Sequence, residues 1–397
     1  MTLLTTLSTC LQLEVLDDTA QAELYEQLTH SSCFVSYQNR FTSLINKRKQ
    51  MMLDRYPQFT HSSLSTILHS PEYLQMVGDG ATATTAATRE LNLALEKVAL
   101  KHFQSLGKMW AWVEVTQIQR HKTYTTQLAP GLSYIDSHYR GALIEDVAHS
   151  DLLVTSPHSE GLYSMSDAIC LANLKLFVIE QSWYELLPLL HHSSQGCHFV
   201  LLHQPHPDTP PSLASSAMIT DWTQRQRWLS FSPFFQHKQW QPLLNDRSLH
   251  LLNQTGAFVN LVPNNGCLAN FDHQCREKVD SNAKLCEILR LTTAGSARQR
   301  LYLLYLAQKE MAQALHRAGY QCAYTIIENP WLLNFYAQLS DSAYINTGRY
   351  CIDHLGYPTY RGIWLVESFH QQYASIDFKQ YQKMVRTTQR SLEVNDA

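Results

Sequence analysis

The chain reads as an α/β protein, and three observations carry that reading. Its composition is that of an ordinary globular protein, 45% hydrophobic over 397 residues. Helix-period segments alternate with short runs rich in Val, Ile, Leu and Tyr. In the C-terminal half a strand, a Gly-Ser loop, a long amphipathic helix and a second strand follow one another, with further strands to close. This length holds two domains. Prolines 205, 207, 210 and 211 forbid helix and ladder alike, so a linker is expected there. The expected division is an N-terminal α/β domain over 1–204, a Pro-rich linker over 205–216 and a second domain over 217–397.

Taken in order, residues 12–30 and 62–105 predict helices, most clearly Glu90–Leu100 with its strong helical period. Met109–Val115 and Phe199–Leu202 predict strands, with a long helical pattern over 165–192 between them. After the prolines, Thr220–Leu229 predicts a helix, and Leu249–Leu252 with Ala257–Val262 a hairpin turning at Asn253–Gly256. Leu285–Leu291 predicts a strand and 296–318 a helix that stops at Gly319. Gln321–Glu328 is a strand, Trp331–Leu339 a short helix, and Ala343–Ile352 and Gly362–Val366 the closing strands. Residues 164–206 and 292–330 share the order loop, helix, Gly, strand, Pro, so the first domain is open to being a degenerate copy of the second.

Composition excludes several functions. With 31 basic and 34 acidic residues, no basic stripe marks a nucleic-acid ligand. The nine cysteines form no Cys-x-x-Cys and several lie in apolar runs, which fits reduced thiols in the cytoplasm. The N-terminus lacks the cationic start of a signal peptide, and no apolar run is long enough to span a bilayer. His191, His192, His203 and His206 have no carboxylate or thiol spacing that makes a metal site. Gly78-Asp79-Gly80 lacks the third glycine of a dinucleotide fingerprint, and no Gly-x-Ser-x-Gly marks a hydrolase. The basic run Asn46–Gln50 reads as a docking patch for an acidic partner or as a solvated helix face.

The chemistry-bearing stretch is Leu285-Cys286-Glu287-Ile288-Leu289-Arg290 followed by Leu291–Ser296. Glu287 and Arg290 stand in apolar surroundings, so they need each other or a substrate. An offset of three on a strand puts them on opposite faces unless a bulge intervenes. Gly295 and the N-cap Ser296 open a helix whose free N–H groups suit an anion. Arg298 and Arg300 in its first turn oppose the helix dipole unless a phosphate or carboxylate is near.

The element order of the C-terminal half resembles the GCN5-related N-acetyltransferase (GNAT) sandwich. Glu-x-x-Arg at a strand end, after Gly256–Gly266, resembles the catalytic half of LuxI-type acyl-homoserine-lactone synthases. The chain length with a large N-terminal extension is similar to the LuxM/AinS-type synthases. The resemblance implies that Glu287 and Arg290 are catalytic, Glu287 serving the substrate amine and Arg290 orienting it or the substrate carboxylate. It implies substrate contacts at Arg227, Trp228, Trp240 and Asp246, and at Asn260, where the LuxI-type pattern has Arg. Gly295, Ser296, Arg298 and Arg300 would hold the phosphopantetheine of acyl carrier protein or coenzyme A. The implied substrates are S-adenosylmethionine and an acyl thioester, with no tightly bound cofactor. A GNAT enzyme acylating another amine and a non-catalytic ligand sensor remain the alternatives.

Overall fold

The computed structural model describes residues 2–30, 36–77, 85–123, 131–263, 267–327, 330–340, 342–351 and 358–395. Gly78–Gly80, Cys33 and the 264–266 part of the resemblance segment lie outside the described residues. The chain divides into two compact units, residues 1–122 with 170–193, and residues 123–169 with 194–397.

The first unit is helical. It comprises α1 (Leu3–Gln12), α2 (Asp18–Thr29), α3 (Tyr37–Arg55), α4 (Leu64–His69), α5 (Pro71–Met76), α6 (Ala86–Phe103) and α7 (Leu106–Arg120), and is rejoined by the end of α8 (Met165–Asn173). Sequence sets each helix start. Thr2, Asp17, Ser36, Ser63, Ser70, Thr85 and Ser105 each accept the N–H three residues on, a cap worth about 1 kcal/mol. Met109–Val115, expected as a strand, lies inside α7. An apolar run buried on most sides carries no period that separates strand from helix, and the Ser105 cap decides it. After α8 the backbone tightens into a π-helical stretch, Leu174–Glu180, and a 3-10 stretch, Tyr184–Ser193. Arg48, in the expected basic patch, is fully buried instead. Its Nε and Nη2 donate to both oxygens of Glu96 at 2.7 Å, and Nη1 donates to the Met76 carbonyl at 3.1 Å.

The second unit is built on one mixed sheet. Its strands are β1 (Tyr139–Ile144), β2 (Leu153–Ser156), β3 (Ser159–Ser164), β4 (His198–His203), β5 (Ser212–Asp221), β6 (Gln241–Pro242), β7 (Leu285–Thr293), β8 (Cys322–Ile327), β9 (Tyr344–Cys351) and β10 (Pro358–Leu365). The order is β1-β4-β5-β7-β8-β10-β9-β6, with β2 and β3 attached beside β5. The α/β class therefore holds. β7 and β8 run parallel, joined by the crossover helix α11 (Ala297–Arg317), while the other pairs along that order are antiparallel.

The expected linker is corrected by this sheet. β4 and β5 form an antiparallel hairpin with His203 opposite Ser212, so 205–211 is its turn and 212–216 begins β5. Prolines fit a turn because no ladder N–H is needed there. Residues 1–204 are thus not an α/β domain of their own, since β1–β4 belong to the sheet that carries β7. Nor is 164–206 a copy of 292–330, because β4 has antiparallel neighbours where β8 has β7 in parallel.

Helices α11, α12 (Pro330–Gln338), α13 (Val366–Ala374) and α14 (Phe378–Asn395) pack an aromatic core on one face of the sheet. The other face is covered by the turns 222–240, α9 (Asp246–Gln254) and α10 (Leu268–Glu277) around Trp228, Trp240 and Phe271. Two further expectations change here. Thr220–Leu229 is the end of β5 and a 3-10 turn in which Asp221 accepts from the Thr223 N–H. The expected hairpin at 249–262 is α9 and a loop. Asn245 caps α9, and the Asn253 side chain bonds both the N–H and the carbonyl of Leu261. Among the described residues no helix is long and apolar enough to cross a membrane.

Candidate active site

β7 is irregular where the sequence pointed. Ser216 lies opposite Thr292 but Met218 opposite Leu289, so β7 carries one extra residue. Arg290 sits within that bulge with φ +56°, a conformation a non-glycine side chain rarely adopts. Pairing with β8 covers only Leu285–Ile288 against Cys322–Thr325. Beyond it the two parallel strands no longer pair, and β7 runs on alone from β8 toward the start of α11. There Gly295 has φ +86°, and Gln299 accepts from the Ser296 N–H at 3.0 Å. Arg298 is exposed, while Arg300 donates to the Gly295 carbonyl at 3.0 Å, which ties it to the loop.

Glu287 and Arg290 are not a simple pair. Glu287 is fully buried, and its carboxylate accepts the N–H of Leu229 at 2.8 Å and of Ser230 at 2.7 Å. Burial raises its proton affinity above the ordinary carboxylate range. The hydrogen bonds from Ser230 and Leu229 and the charge of Arg361 pull the other way. Burial first, then the charge of Arg290, push the neighbouring His198 imidazole down to about 4.

Glu287 belongs to a cross-strand row with Tyr324 on β8 and Ile363 on β10. Two residues before Ile363, on the same face, stands Arg361, only 1% exposed. Its Nη1 and Nη2 donate to the two oxygens of Asp272 at 2.9 and 2.8 Å, and Nη1 also reaches the Phe235 carbonyl at 3.3 Å. Asp272, on α10, is fully buried and also accepts from the Gln236 amide. Burial raises its carboxyl, and Arg361 with Gln236 draws it back. Both buried carboxylates thus grip the underside of one segment, 228–240.

The other expected contacts are distributed unevenly. Trp228 and Trp240 are core residues beneath that segment. The Trp228 indole N–H donates to the Asp221 carbonyl and the Trp240 indole N–H to that of Phe234. Arg227, Asp246 and Asn260 are exposed, Asp246 in the first turn of α9 and Asn260 at φ +55°. Asp272, Gln236 and Arg361 were missed. The signal for Arg361 was present, a lone cation alternating with Ile363 and Leu365 on a strand. Asp272 gave none, because an acid in a polar helix looks solvated. No cluster of three or more His, Cys, Asp or Glu is placed to hold a metal among the described residues.

The profile of the acyl homoserine lactone synthase family matches residues 22–392. The chain belongs to the acyl-homoserine-lactone synthase family. It is 34% identical over 358 residues to the acyl-homoserine-lactone synthase OpaM of Vibrio parahaemolyticus, covering 90% of this chain and 89% of that one. To LuxM of Vibrio campbellii it is 34% identical, with 88% of each chain covered. To LuxM of Vibrio atlanticus it is 32% identical, with 87% of each covered. No solved structure matches. Members of this synthase family are acyltransferases, so the unpaired ends of β7 and β8 and the charged layer beneath 228–240 belong to an acyltransferase.

Proposed function

We propose that the protein makes an N-acyl-homoserine lactone from S-adenosylmethionine and an acyl thioester of acyl carrier protein or coenzyme A. Family membership across residues 22–392 carries this reading. The amine nitrogen attacks the thioester carbon, the carbon–sulfur bond breaks, and the thiol leaves as the nitrogen loses a proton. The carboxylate oxygen of the same molecule then attacks its γ-carbon, closing the lactone and releasing neutral methylthioadenosine.

The parting of β7 from β8 supports the donor side. Strand edges that no longer pair with each other suit the amides of a pantetheine arm, and the first turn of α11 suits its phosphate. This arrangement, with its single crossover helix, resembles the GNAT sandwich. Glu287, with proton affinity raised by burial, suits a proton acceptor for the amine. Because it is buried under Leu229 and Ser230, the 228–231 turn must shift for the amine to reach it. Such substrates place the reaction in the cytoplasm.

The test is a purified-enzyme assay with S-adenosylmethionine and butyryl or longer acyl thioesters, read by mass spectrometry. Methylthioadenosine and acyl-homoserine lactone are expected in equal amounts. An acylated amine without methylthioadenosine would sink the synthase reading in favour of a plain N-acyltransferase. S-adenosylmethionine binding with no product would leave a sensor.

A further inference from the structure

We propose that the side-on edge of Arg361 receives the carboxylate of the α-amino-acid acceptor, beneath the 231–240 turn. The inference rests on the acceptor reading above and goes beyond it by naming the group that holds the lactone-forming carboxylate.

A guanidinium has five N–H donors in a fixed fork geometry. Asp272 takes the end-on pair, Nη1 and Nη2, and the Phe235 carbonyl takes the second Nη1 hydrogen. That leaves Nε–H and one Nη2–H, which lie along the same edge and match the two oxygens of a carboxylate. Arg361 Nε is buried and has no hydrogen-bond partner among the described residues. The hydroxyls that share that condition include Thr359 Oγ1 and Ser232 Oγ. Thr359 precedes Arg361 by two on β10 and so shares its face. Ser232 lies in the covering turn, where its carbonyl accepts the Gln236 N–H at 3.2 Å, and Gln236 in turn binds Asp272. Buried polar groups are almost always paired, so the unclaimed side edge of a buried guanidinium, with an unpartnered hydroxyl on its own strand face and another in its covering turn, describes a binding site for an acceptor-rich group.

The local charge selects the ligand class. Asp272 already balances Arg361, and Glu287 lies close enough to feel it. A phosphate dianion would face two carboxylates at short range. An amino-acid zwitterion meets them in register, its carboxylate on the Arg361 edge and its ammonium toward Glu287. The cover is made of single turns, Gln236 N–H to the Pro233 carbonyl and His237 N–H to the Phe234 carbonyl, both at 3.3 Å. Such a segment opens at less cost than a helix or strand, which gives the zwitterion its way in.

Isothermal titration of the full chain with S-adenosylmethionine and with decarboxylated S-adenosylmethionine tests this. The wild type is expected to bind the decarboxylated form about 10- to 100-fold more weakly, the worth of a charge-assisted fork. Arg361→Lys, which keeps the charge but loses the fork, should bring both ligands to the weaker affinity. Thr359→Val and Ser232→Ala should weaken S-adenosylmethionine several-fold and leave the decarboxylated form unchanged. These two carry the decision if Arg361→Lys does not fold, since neither residue is in an ion pair. Equal wild-type affinity for the two ligands, or unchanged S-adenosylmethionine affinity in every folded variant, overturns the proposal. If S-adenosylmethionine is still converted to methylthioadenosine in that case, only this inference fails. If it is neither bound nor converted, the synthase reading falls with it.

Discussion

Among the described residues each unit buries an arginine against a carboxylate, and the two pairs differ in which edge is used. In the helical unit Glu96 takes the side-on fork of Arg48, Met76 takes the remaining amino group, and the Tyr73 hydroxyl donates to Glu96 at 3.1 Å. In the sheet unit Asp272 takes the end-on fork of Arg361, and Nε has no partner among the described residues. Both pairs bear the cost of desolvating two charges, which good geometry only repays. The closed pair is finished inside the protein. The pair with an open edge retains donors for something else, and it lies in the same layer as Glu287. Ion pairing alone therefore does not mark a site; the unclaimed edge does.

The largest expected effect tests the closed pair. Glu96→Ala leaves Arg48 charged and buried, and should cost about 3–5 kcal/mol, read as a fall in the urea midpoint. The double change Arg48→Met with Glu96→Leu should recover most of it; failure to recover would mean Arg48 has a role beyond packing. Next comes the open layer. Glu287→Gln should lower turnover about 100-fold; its amide oxygen still accepts one of the Leu229 and Ser230 N–H groups while its NH2 opposes the other, so some stability is lost but folding is retained. A full rate at neutral pH would remove Glu287 from the chemistry and leave it as an anchor of the turn.

Packing is compared by two glycines. A Cβ on Gly362 would lie 2.0 Å from the Tyr344 hydroxyl, and one on Gly107 2.5 Å from the Tyr184 ring. Gly362→Ala should cost about 1–3 kcal/mol. Gly107→Ala should cost less, since alanine returns roughly 1 kcal/mol of helix propensity. Thermal melts of the two variants would rank them, and the reverse order would mean that the helical unit yields less than the sheet.

The smallest effect concerns Glu114 in α7, buried with the neutral donors Trp110, Gln38 and Tyr37 on its carboxyl. Burial raises its proton affinity. The folded state therefore holds the proton more tightly than the unfolded chain, so stability is full below the ordinary carboxylate value and falls as pH rises through the raised one. Glu114→Gln keeps the hydrogen bonds from Trp110 and Gln38 on its amide oxygen and removes the ionisation. It should be more stable than the wild type at neutral pH, with the gap closing in acid. Denaturation at both pH values checks the sign.

Much of the second unit was legible in the primary structure. β7, α11, β8 and α12 fall within two residues of their expected bounds, because amphipathic period, a Ser cap and a Gly stop are local properties. The family was legible in Glu287-x-x-Arg290 and in the chain length. Pairing was not. Whether β4 closes a domain or enters the sheet of β7 depends on partners 9 to 64 residues away, and Pro205–Pro211 reads the same as linker or as turn. Met109–Val115 failed for a related reason, since a run buried all round has no face to betray its period.

The sequence by itself determined the α/β class, the starts of α8, α11 and α12, the bulge-bearing strand and the family, because each follows from neighbours along the chain. Tertiary structure alone decided that Glu287 accepts the Leu229 and Ser230 N–H groups, and that Asp272, Gln236 and Arg361 meet. Residues 236, 272, 287 and 361 come from four elements, and only strand register and the packing of α10 on the sheet bring their charges within reach. Electrostatic partners are set by distance through space, and no local pattern encodes that distance.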